Sequence, residues 1–468
     1  MVAPPQSMSY RYFPSLFLER LGYGPFQHRI LLAVGLCFAS SSMEMLLFSL
    51  LAIVLNVEWN LSPSQTDAIS GAIFAGGLVG NLVLGPLGDR LGRRPVFNIT
   101  AAILCVSGLA TAVAPGYFWL CACRFAVGFG VGGLAIPFDT LAEFMPVQRR
   151  GTHLLFVEYF WTVGTMLVPV LAYICFRDNR RAWRFFCTLC AMPCIMTLVA
   201  GWYLVPESPR WLLLQGQHDQ ALRILRSAAL RNQQNPQTVF PLGTVLINDD
   251  DDHGHNSGKF LDLFAPKWRS TTLTLWGVWA CQYFIYFGAI MAVTLVFVKK
   301  DEKDDNTKTS SAGDYNFDFE AIFVSALAET AGTTVVILLI DRIGRIPTQA
   351  ISYLLGGTAV FVMCSLATDD HPSRASLMVA AFVARLFFMS GTCATWVSTA
   401  EVLSTEIRTT GHSTANAIGS ISGFFSPYVV SATTPFGTIS LVILFLSVAT
   451  AFFVMHLPET KGKAIGSS

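Results

Sequence analysis

The chain has 468 residues, of which 53% are hydrophobic and 13% are charged. Soluble proteins carry roughly 25% charged residues, so this composition excludes an ordinary soluble protein and favours one that is embedded in lipid. The formal net charge of +1 excludes the basic surface by which proteins bind nucleic acid.

Twelve apolar segments are long enough to cross about 30 Å of hydrocarbon as helices, and they predict an all-α membrane protein. The first begins near Ile30, too late and too long for a cleaved signal peptide. The predicted spans are 30–55, 68–88, 96–113, 117–138, 152–175, 183–205, 271–298, 320–340, 347–367, 374–398, 411–431 and 435–457.

A polar stretch divides the twelve spans into two groups of six. It contains an amphipathic segment, Ala221 to Leu230, and a low-complexity run from Asn248 to Gly258 with four successive aspartates. We therefore predict an N-terminal tail at 1–28, a six-helix bundle at 29–205, a linker with a surface helix and a disordered acidic run at 206–270, a second bundle at 271–457 and a tail at 458–468.

The distribution of lysine and arginine predicts the orientation in the membrane. The side that carries the N-terminus receives 20 of these residues and the opposite side receives 9. Because the cytosolic side of a membrane protein carries the excess of positive charge, both termini are predicted to be cytosolic.

The two halves of the sequence repeat one another. Asp89 to Arg93, with the sequence DRLGR, recurs 252 positions later as DRIGR, from Asp341 to Arg345. Further matched pairs are Glu143 with Glu401, Arg150 with Arg408, Arg124 with Arg385, and Glu207 with Glu459. Parallel repeats of a six-helix unit are typical of secondary transporters, which bind substrate between the halves near the membrane midplane.

The sequence resembles the major facilitator superfamily over essentially its whole length. The resemblance rests on Gly85 to Pro95 (GPLGDRLGRRP), on Arg124 with the glycines that follow it, and on Pro206 to Trp211 (PESPRW). Met43-Glu44-Met45 and Glu58 to Ser62 (EWNLS) are similar to the group of synaptic vesicle two-related proteins, plant organic cation/carnitine transporter-like proteins and bacterial niacin transporters. The resemblance implies two pseudo-symmetric bundles and transport by alternating access.

Glu44 and Arg124 are charged residues inside predicted spans, where a charge costs a few kcal/mol and is presumed functional or paired. At 1.5 Å per residue, both lie at matching depths, so we expect them to meet within the N-terminal half. In the relatives, a carboxylate usually stands three residues before the glutamate, where this chain has Ser41. We expect Glu44 to take over that role as a conformation-sensitive charge; the alternative is a permanent structural ion pair.

Other polar and aromatic groups at membrane depth are candidates for substrate binding or coupling. Aromatic faces suit a flat ring or a cation, and a buried arginine suits a carboxylate. The alternative for each aromatic residue is packing alone. The candidates are Glu158, Tyr159, Gln282, Tyr283, Tyr286, Glu329, Arg385 and Trp396.

A second set of charges stands at the predicted cytosolic ends of the spans. By the family resemblance, these residues form a network that locks the halves together when the cavity opens outward. The alternative is anchoring of the helix ends, which explains the arginines but not the repeated acid–base spacing. The set is Asp89, Arg93, Glu143, Arg150, Glu207, Asp341, Arg345, Glu401, Arg408 and Glu459.

The sequence carries no phosphate-binding loop, zinc spacing or nucleophile elbow, and it predicts neither enzymatic activity, cofactor nor metal. The leading interpretation is a monomeric transporter of a small organic ion (a nicotinate-like acid, a zwitterion or a cation) in a plasma or vesicle membrane, with a proton as the candidate coupled ion. The alternatives are a sugar or polyol transporter and a transporter-like receptor or vesicle binding protein without turnover.

Overall fold

The computed structural model describes residues 10–12, 14–146, 150–176, 182–241, 244–246, 260–300, 315–369, 373–403 and 407–461. In the N-terminal half the long helices are α1 (Pro25–Trp59), α2 (Pro63–Leu91), α3 (Arg93–Ala112), α4 (Tyr117–Val131, continued as Ala135–Ala142), α5 (Arg150–Phe176) and α6 (Trp183–Leu204). In the C-terminal half they are α7 (Arg269–Val296), α8 (Phe319–Ile343), α9 (Arg345–Leu366), α10 (Arg374–Val402), α11 (Arg408–Val429) and α12 (Phe436–Met455).

Eleven of these helices are apolar and long enough to cross a membrane by themselves. The twelfth, α11, contains buried polar residues such as His412, Asn416 and Ser420 and falls below that hydropathy. Its polar side chains face protein instead of lipid: Asn416, for example, accepts a hydrogen bond from Tyr283 of α7. Because its polar side chains are buried against protein, α11 can serve as the twelfth predicted span.

The N-terminal tail and the linker are more ordered than the sequence suggested. A helix, Pro14–Leu21, buries Leu18 and Leu21. The linker forms Pro209–Leu214, His218–Arg231, Pro236–Val239 and a 3-10 turn, Phe260–Phe264, and the side chain of Asn232 binds the backbone of Leu21 and Phe26. The amphipathic helix, His218–Arg231, extends the predicted segment by three residues at its start and one at its end, whereas the acidic run Asn248 to Gly258 lies outside the described residues.

Two small sheets lie outside the bundles, which the all-α prediction did not include. Tyr10–Tyr12 pairs in parallel with Thr244–Leu246, and Val298–Lys300 pairs antiparallel with Tyr315–Phe317. The first sheet ties the N-terminal tail to the linker. The second closes the connection between α7 and α8.

Each half is held by close helix packing, and the two halves meet along α2 with α11 and α5 with α8. A Cβ atom on Gly128 of α4 would lie 1.8 Å from the carbonyl oxygen of Ile73 of α2, and one on Gly76 would lie 1.9 Å from that of Phe125. These glycines therefore let the two backbones touch. Between the halves, a Cβ on Gly85 would lie 2.8 Å from the hydroxyl of Ser413.

Candidate functional site

A cavity of about 40 Å³ lies between the two halves. Ligand pockets usually measure roughly 300–1,000 Å³, so the halves must separate before a substrate of that class can bind here. The lining residues come from α1, α4, α5, α7, α10 and α11. They are Phe38, Met45, Val131, Leu134, Glu158, Trp161, Gln282, Tyr283, Tyr286, Phe287, Met389, Thr392, Trp396 and Asn416.

Glu158 of α5 is the one charged side chain among these described lining residues. Its side chain is buried, and its Oε1 has no hydrogen-bond partner in the part of the chain that the structure describes. Burying an ionised carboxylate without a partner is costly. The cavity thus carries an unsatisfied acceptor that a proton or a bound cation would satisfy.

Polar groups on the opposite wall come from α7, α10 and α11. Gln282 accepts a hydrogen bond from Thr392 at 3.2 Å, while its own Nε2 donor is unpaired within the described residues. Tyr283 donates to the amide oxygen of Asn416. This wall can therefore offer an amide donor and hydroxyl groups to a polar substrate.

Glu329 and Arg385 form a buried ion pair in the C-terminal half, with a distance of 2.6 Å between Oε1 and Nη2. Tyr286 donates to the same Glu329 oxygen at 3.1 Å and accepts a bond from the indole nitrogen of Trp161 at 2.8 Å. Since Trp161 belongs to α5, this chain of polar contacts crosses between the halves. Arg385 is committed to Glu329 and does not line the cavity.

Glu44 and Arg124 meet as their depths predicted, at 3.0 Å, and both side chains are fully buried. Arg124 also donates to the hydroxyl of Thr111 on α3 and, at 3.4 Å, to the backbone oxygen of Glu44. Neither residue lines the cavity. The pair therefore lies inside the N-terminal bundle, behind the cavity wall.

The two remaining candidates lie apart from one another. Tyr159 hydrogen-bonds Thr334 of α8 at 2.9 Å on an exposed part of the interface between the halves and does not line the cavity. Trp396 lines the cavity and packs edge-on against Phe38 and Trp279 and at a tilt against Phe138. Tyr159 thus joins the halves, whereas Trp396 belongs to an aromatic cluster that forms part of the cavity wall.

Several lining residues and one buried contact between a histidine and a carboxylate were not predicted from the sequence. Trp161 stands three residues after Glu158, a helical spacing that could have identified it as part of the same face. Thr392 and Asn416 give no signal of their own, because polar uncharged residues are frequent in these spans. Asp139 and His412 are buried, but neither was among the candidates, since they lie at the ends of the predicted spans 117–138 and 411–431.

Arg93 organises the first of two equivalent charge networks. Its guanidinium lies 2.6 Å from Asp89 and 3.5 Å from Glu143. Its backbone N–H donates to the carboxylate of Glu207 at 2.8 Å, so this glutamate from beyond α6 caps the N-terminus of α3. The preceding Gly92 has φ +101°, and a Cβ there would lie 2.6 Å from that carboxylate.

Arg345 organises the second network in the same way. It lies 2.9 Å from Asp341, and its Nε and Nη2 bind the two oxygens of Glu401 at 2.9 and 3.0 Å. Its backbone N–H donates to Glu459 at 3.0 Å, and Gly344 has φ +100° with the same lack of room for a Cβ. The sequence repeat is therefore a repeat of one cap-and-ion-pair geometry.

The described ion pairs of both networks join helices of the same half, which differs from the predicted lock between halves. In each half, the arginine that follows the glycine contacts an aspartate of the preceding helix and a glutamate at the end of a later helix in the same bundle. One contact of the set crosses over, from Thr152 of α5 to Asp341 at 3.5 Å. The side chains of Arg150 and Arg408 lie outside the described part of the chain.

The two capping carboxylates are expected to respond oppositely to pH. Burial raises the pKa of Glu207. Burial also acts on Glu459, but the backbone N–H groups of four residues outweigh it and lower the pKa of that carboxyl. A lowered pKa contributes stability at neutral pH that is lost on acidification, and a raised pKa contributes stability at low pH that is lost as pH rises.

We therefore expect Glu459→Gln to lower the melting temperature at pH 7.5 and to approach the parent protein as pH falls below about 4.5, the ordinary pKa of this carboxyl. Glu207→Gln should instead melt at or above the temperature of the parent protein at pH 7.5 and converge with it as pH falls toward 4.5. Both groups are partly exposed, so each effect should be about 1 kcal/mol or less. Melting curves of the purified protein measure both trends, and a lower melting temperature of Glu207→Gln at pH 7.5 would contradict the assignment.

A larger apolar groove, of about 560 Å³, lies between α9 and α10 and is lined by residues such as Leu355, Val362 and Val379. These three side chains are 43%, 45% and 63% exposed, as expected of a surface that faces lipid. The groove holds none of the candidate residues.

Comparison with known proteins agrees with this architecture. Residues 36–466 match the family model "Sugar (and other) transporter". The synaptic vesicle 2-related protein of Bos taurus is 31% identical over 466 residues, covering 96% of this chain and 82% of the relative. The organic cation/carnitine transporter 7 of Arabidopsis thaliana is 29% identical over 442 residues, covering 88% of this chain and 86% of the relative.

Among solved structures, the major facilitator superfamily proton:xylose symporter XylE, bound to 6-bromo-6-deoxy-D-glucose, has a TM-score of 0.73. Its sequence is 21% identical, and the match covers 94% of this chain and 98% of that chain. At this identity the similarity establishes the fold. It confirms the predicted arrangement of two six-helix bundles.

Proposed function

Because the chain belongs to the sugar (and other) transporter family of the major facilitator superfamily, we propose that it is a secondary transporter for a small organic cation, moved by alternating access between the two bundles. Membership makes it a multi-pass membrane transporter. The observation that carries the choice of substrate is the carboxylate of Glu158, whose Oε1 has no hydrogen-bond partner among the described residues, in a cavity with aromatic walls.

A cation is favoured over an acid by the distribution of buried charge. Both membrane arginines, Arg124 and Arg385, are bound to carboxylates and stand outside the cavity lining. A nicotinate-like acid would find Glu158 instead of a free arginine. A cation gains an ion pair with Glu158 and contacts with the faces of Trp161, Tyr286 and Trp396.

A sugar or polyol is the second candidate, because the opposite wall of the cavity offers the unpaired amide of Gln282 and the hydroxyl groups of Thr392 and Tyr283. A sugar would use these groups and leave Glu158 without a counter-charge. The carboxylate of Glu158 therefore favours the organic cation over the sugar as substrate.

We expect proteoliposomes preloaded with unlabelled tetraethylammonium to accumulate labelled tetraethylammonium by counterflow, with no competition from glucose or nicotinate. Empty liposomes and unloaded proteoliposomes are the controls. Counterflow of labelled glucose alone would support the sugar candidate. Saturable binding without exchange would support a transporter-like binding protein.

For location, we propose an intracellular vesicle membrane with both termini in the cytosol. The name of the bovine relative supports the compartment, and the excess of lysine and arginine on the side of the termini supports the orientation. Protease protection of terminal tags on isolated vesicles tests the orientation: cleavage only after detergent treatment would contradict it.

A further inference from the structure

A buried contact between a histidine and a carboxylate crosses between the halves, on the side of the cavity where the Arg93 and Arg345 networks lie. Asp139 belongs to the last segment of α4, and His412 stands near the start of α11. The imidazole Nδ1 lies 3.8 Å from the carboxylate Oδ1. His412 is fully buried and Asp139 is 6% exposed, so neither side chain is available to bulk water.

The hydrogen bonds of this contact are incomplete. Both ring nitrogens of His412 and the Oδ2 of Asp139 have no hydrogen-bond partner among the described residues. A neutral imidazole has one donor and one acceptor, whereas a protonated one has two donors. Buried polar atoms that lack partners are rare in proteins and call for a ligand or a change of state.

Aromatic rings surround the imidazole. The ring centroid of His412 is 4.8 Å from that of Trp396, 5.5 Å from that of Trp279 and 6.1 Å from that of Phe138, in edge-on or steeply inclined arrangements. Indole rings stabilise a nearby cation through their electron-rich faces. Two indole rings therefore lie within the distance of a cation–π contact from the imidazole.

The other charged groups near the contact are already paired. Arg93 of α3 is close enough to Asp139 to interact with it electrostatically, but its guanidinium contacts Asp89 and Glu143. The neighbouring side chains from α1, α7 and α10 are aromatic, namely Phe38, Trp279 and Trp396. A proton on His412 is thus the charge that would complete the contact with Asp139.

We propose that His412 and Asp139 form a proton-binding site, separate from the central cavity, that draws the two halves together at this end of the molecule when it is occupied. Binding transfers one proton from water to the imidazole, and the imidazolium then donates to the Asp139 carboxylate. The present 3.8 Å separation would shorten to about 2.8 Å, the usual length of such a charged bond.

Release of the proton removes the donor and leaves an ionised carboxylate that favours hydration, so it favours opening at this end. The sign follows directly: the closed contact is stabilised at low pH and is lost as pH rises. The role of this site in coupling rests on the proposed function as a transporter.

Tryptophan fluorescence of the purified full-length protein in lipid nanodiscs, without substrate, tests the site between pH 5 and 8.5. An imidazolium quenches a neighbouring indole, so we expect emission to fall on acidification. His412→Gln should abolish that transition. Asp139→Asn should move its midpoint to lower pH, because it removes the counter-charge that favours the imidazolium.

His456→Gln is the matched control, because that histidine is exposed at the end of α12 and packs on Phe452 away from the indoles. It should leave the transition unchanged. If His412→Gln does not fold, Trp396→Phe provides the second test and should reduce the amplitude at an unchanged midpoint. An unaltered transition in either His412→Gln or Asp139→Asn would overturn the proposal.

Coupling is measured separately in proteoliposomes. An imposed pH gradient should drive tetraethylammonium accumulation by the parent protein, while His412→Gln should retain counterflow and lose the response to the gradient. A gradient response that persists in His412→Gln would overturn the coupling role. If tetraethylammonium is not transported at all, the proposed substrate class fails while the fluorescence result still decides the proton site.

Discussion

Glu158→Gln is expected to weaken organic-cation binding and exchange by about 30-fold or more. The carboxylate is the charged group that lines the cavity, and removing one partner of a buried charge pair costs about 2–5 kcal/mol. Each 1.4 kcal/mol corresponds to a factor of ten in affinity, which gives the expected loss. Counterflow and equilibrium binding of tetraethylammonium measure it.

The same substitution should not destabilise the empty protein. Oε1 of Glu158 has no hydrogen-bond partner among the described residues, so glutamine removes a costly buried charge without breaking a contact. We expect an equal or higher melting temperature. A lower one would mean that the carboxylate has a structural partner.

Two further variants bracket the effect of charge at this position. Glu158→Asp keeps the charge on a side chain shorter by one methylene and should recover part of the binding. Glu58→Gln neutralises an exposed carboxylate at the far end of α1 and should leave binding unchanged. Full cation exchange by Glu158→Gln would eliminate the proposed role of this residue.

Arg124→Gln is expected to destabilise the protein by about 3–5 kcal/mol, because it leaves Glu44 as an uncompensated buried charge. Both side chains are fully buried, and Arg124 also bonds Thr111. Replacing both charged partners removes the uncompensated charge, so Glu44→Gln combined with Arg124→Gln should recover much of the stability. Melting temperatures of the two single variants and the double variant measure the coupling.

Transport by the double variant separates the two interpretations of this pair. If it folds and still exchanges substrate, the pair is a structural ion pair within the N-terminal bundle. If it folds and fails to exchange, the pair acts in the conformational cycle. That outcome is predicted if Glu44 takes over the role of the carboxylate that Ser41 replaces. Matched expression and melting temperature are required before the transport rates are compared.

The charge networks illustrate how a sequence repeat differs from the contacts it makes. The spacing of DRLGR and DRIGR identified two equivalent sets of residues, and the structure gives them equivalent capping and ion-pair geometry. The repeat could not say which bundle each arginine contacts. That direction depends on the turns at Gly92 and Gly344, where the backbone adopts positive φ values.

The buried arginines show the same limit for the substrate site. A buried arginine was considered suited to a carboxylate ligand, although Arg124 was expected to meet Glu44. Arg124 contacts Glu44 at 3.0 Å, as expected, and Arg385 contacts Glu329 of its own bundle at 2.6 Å. A sequence gives the depth of a charge in the membrane, but the rotation of each helix about its axis decides whether the charge faces a partner or the cavity.

Hydrophobicity and repetition determined the twelve spans and the two groups of six, because burial in lipid imposes long apolar segments that can be counted along one dimension. The family was indicated by the resemblance of particular motifs. Tertiary structure alone decided that Glu158 faces the cavity with its Oε1 unpaired among the described residues, that Trp161 joins it there, and that Asp139 of α4 meets His412 of α11. Those contacts join residues far apart in the chain, and they depend on helix packing angles that local sequence patterns do not encode.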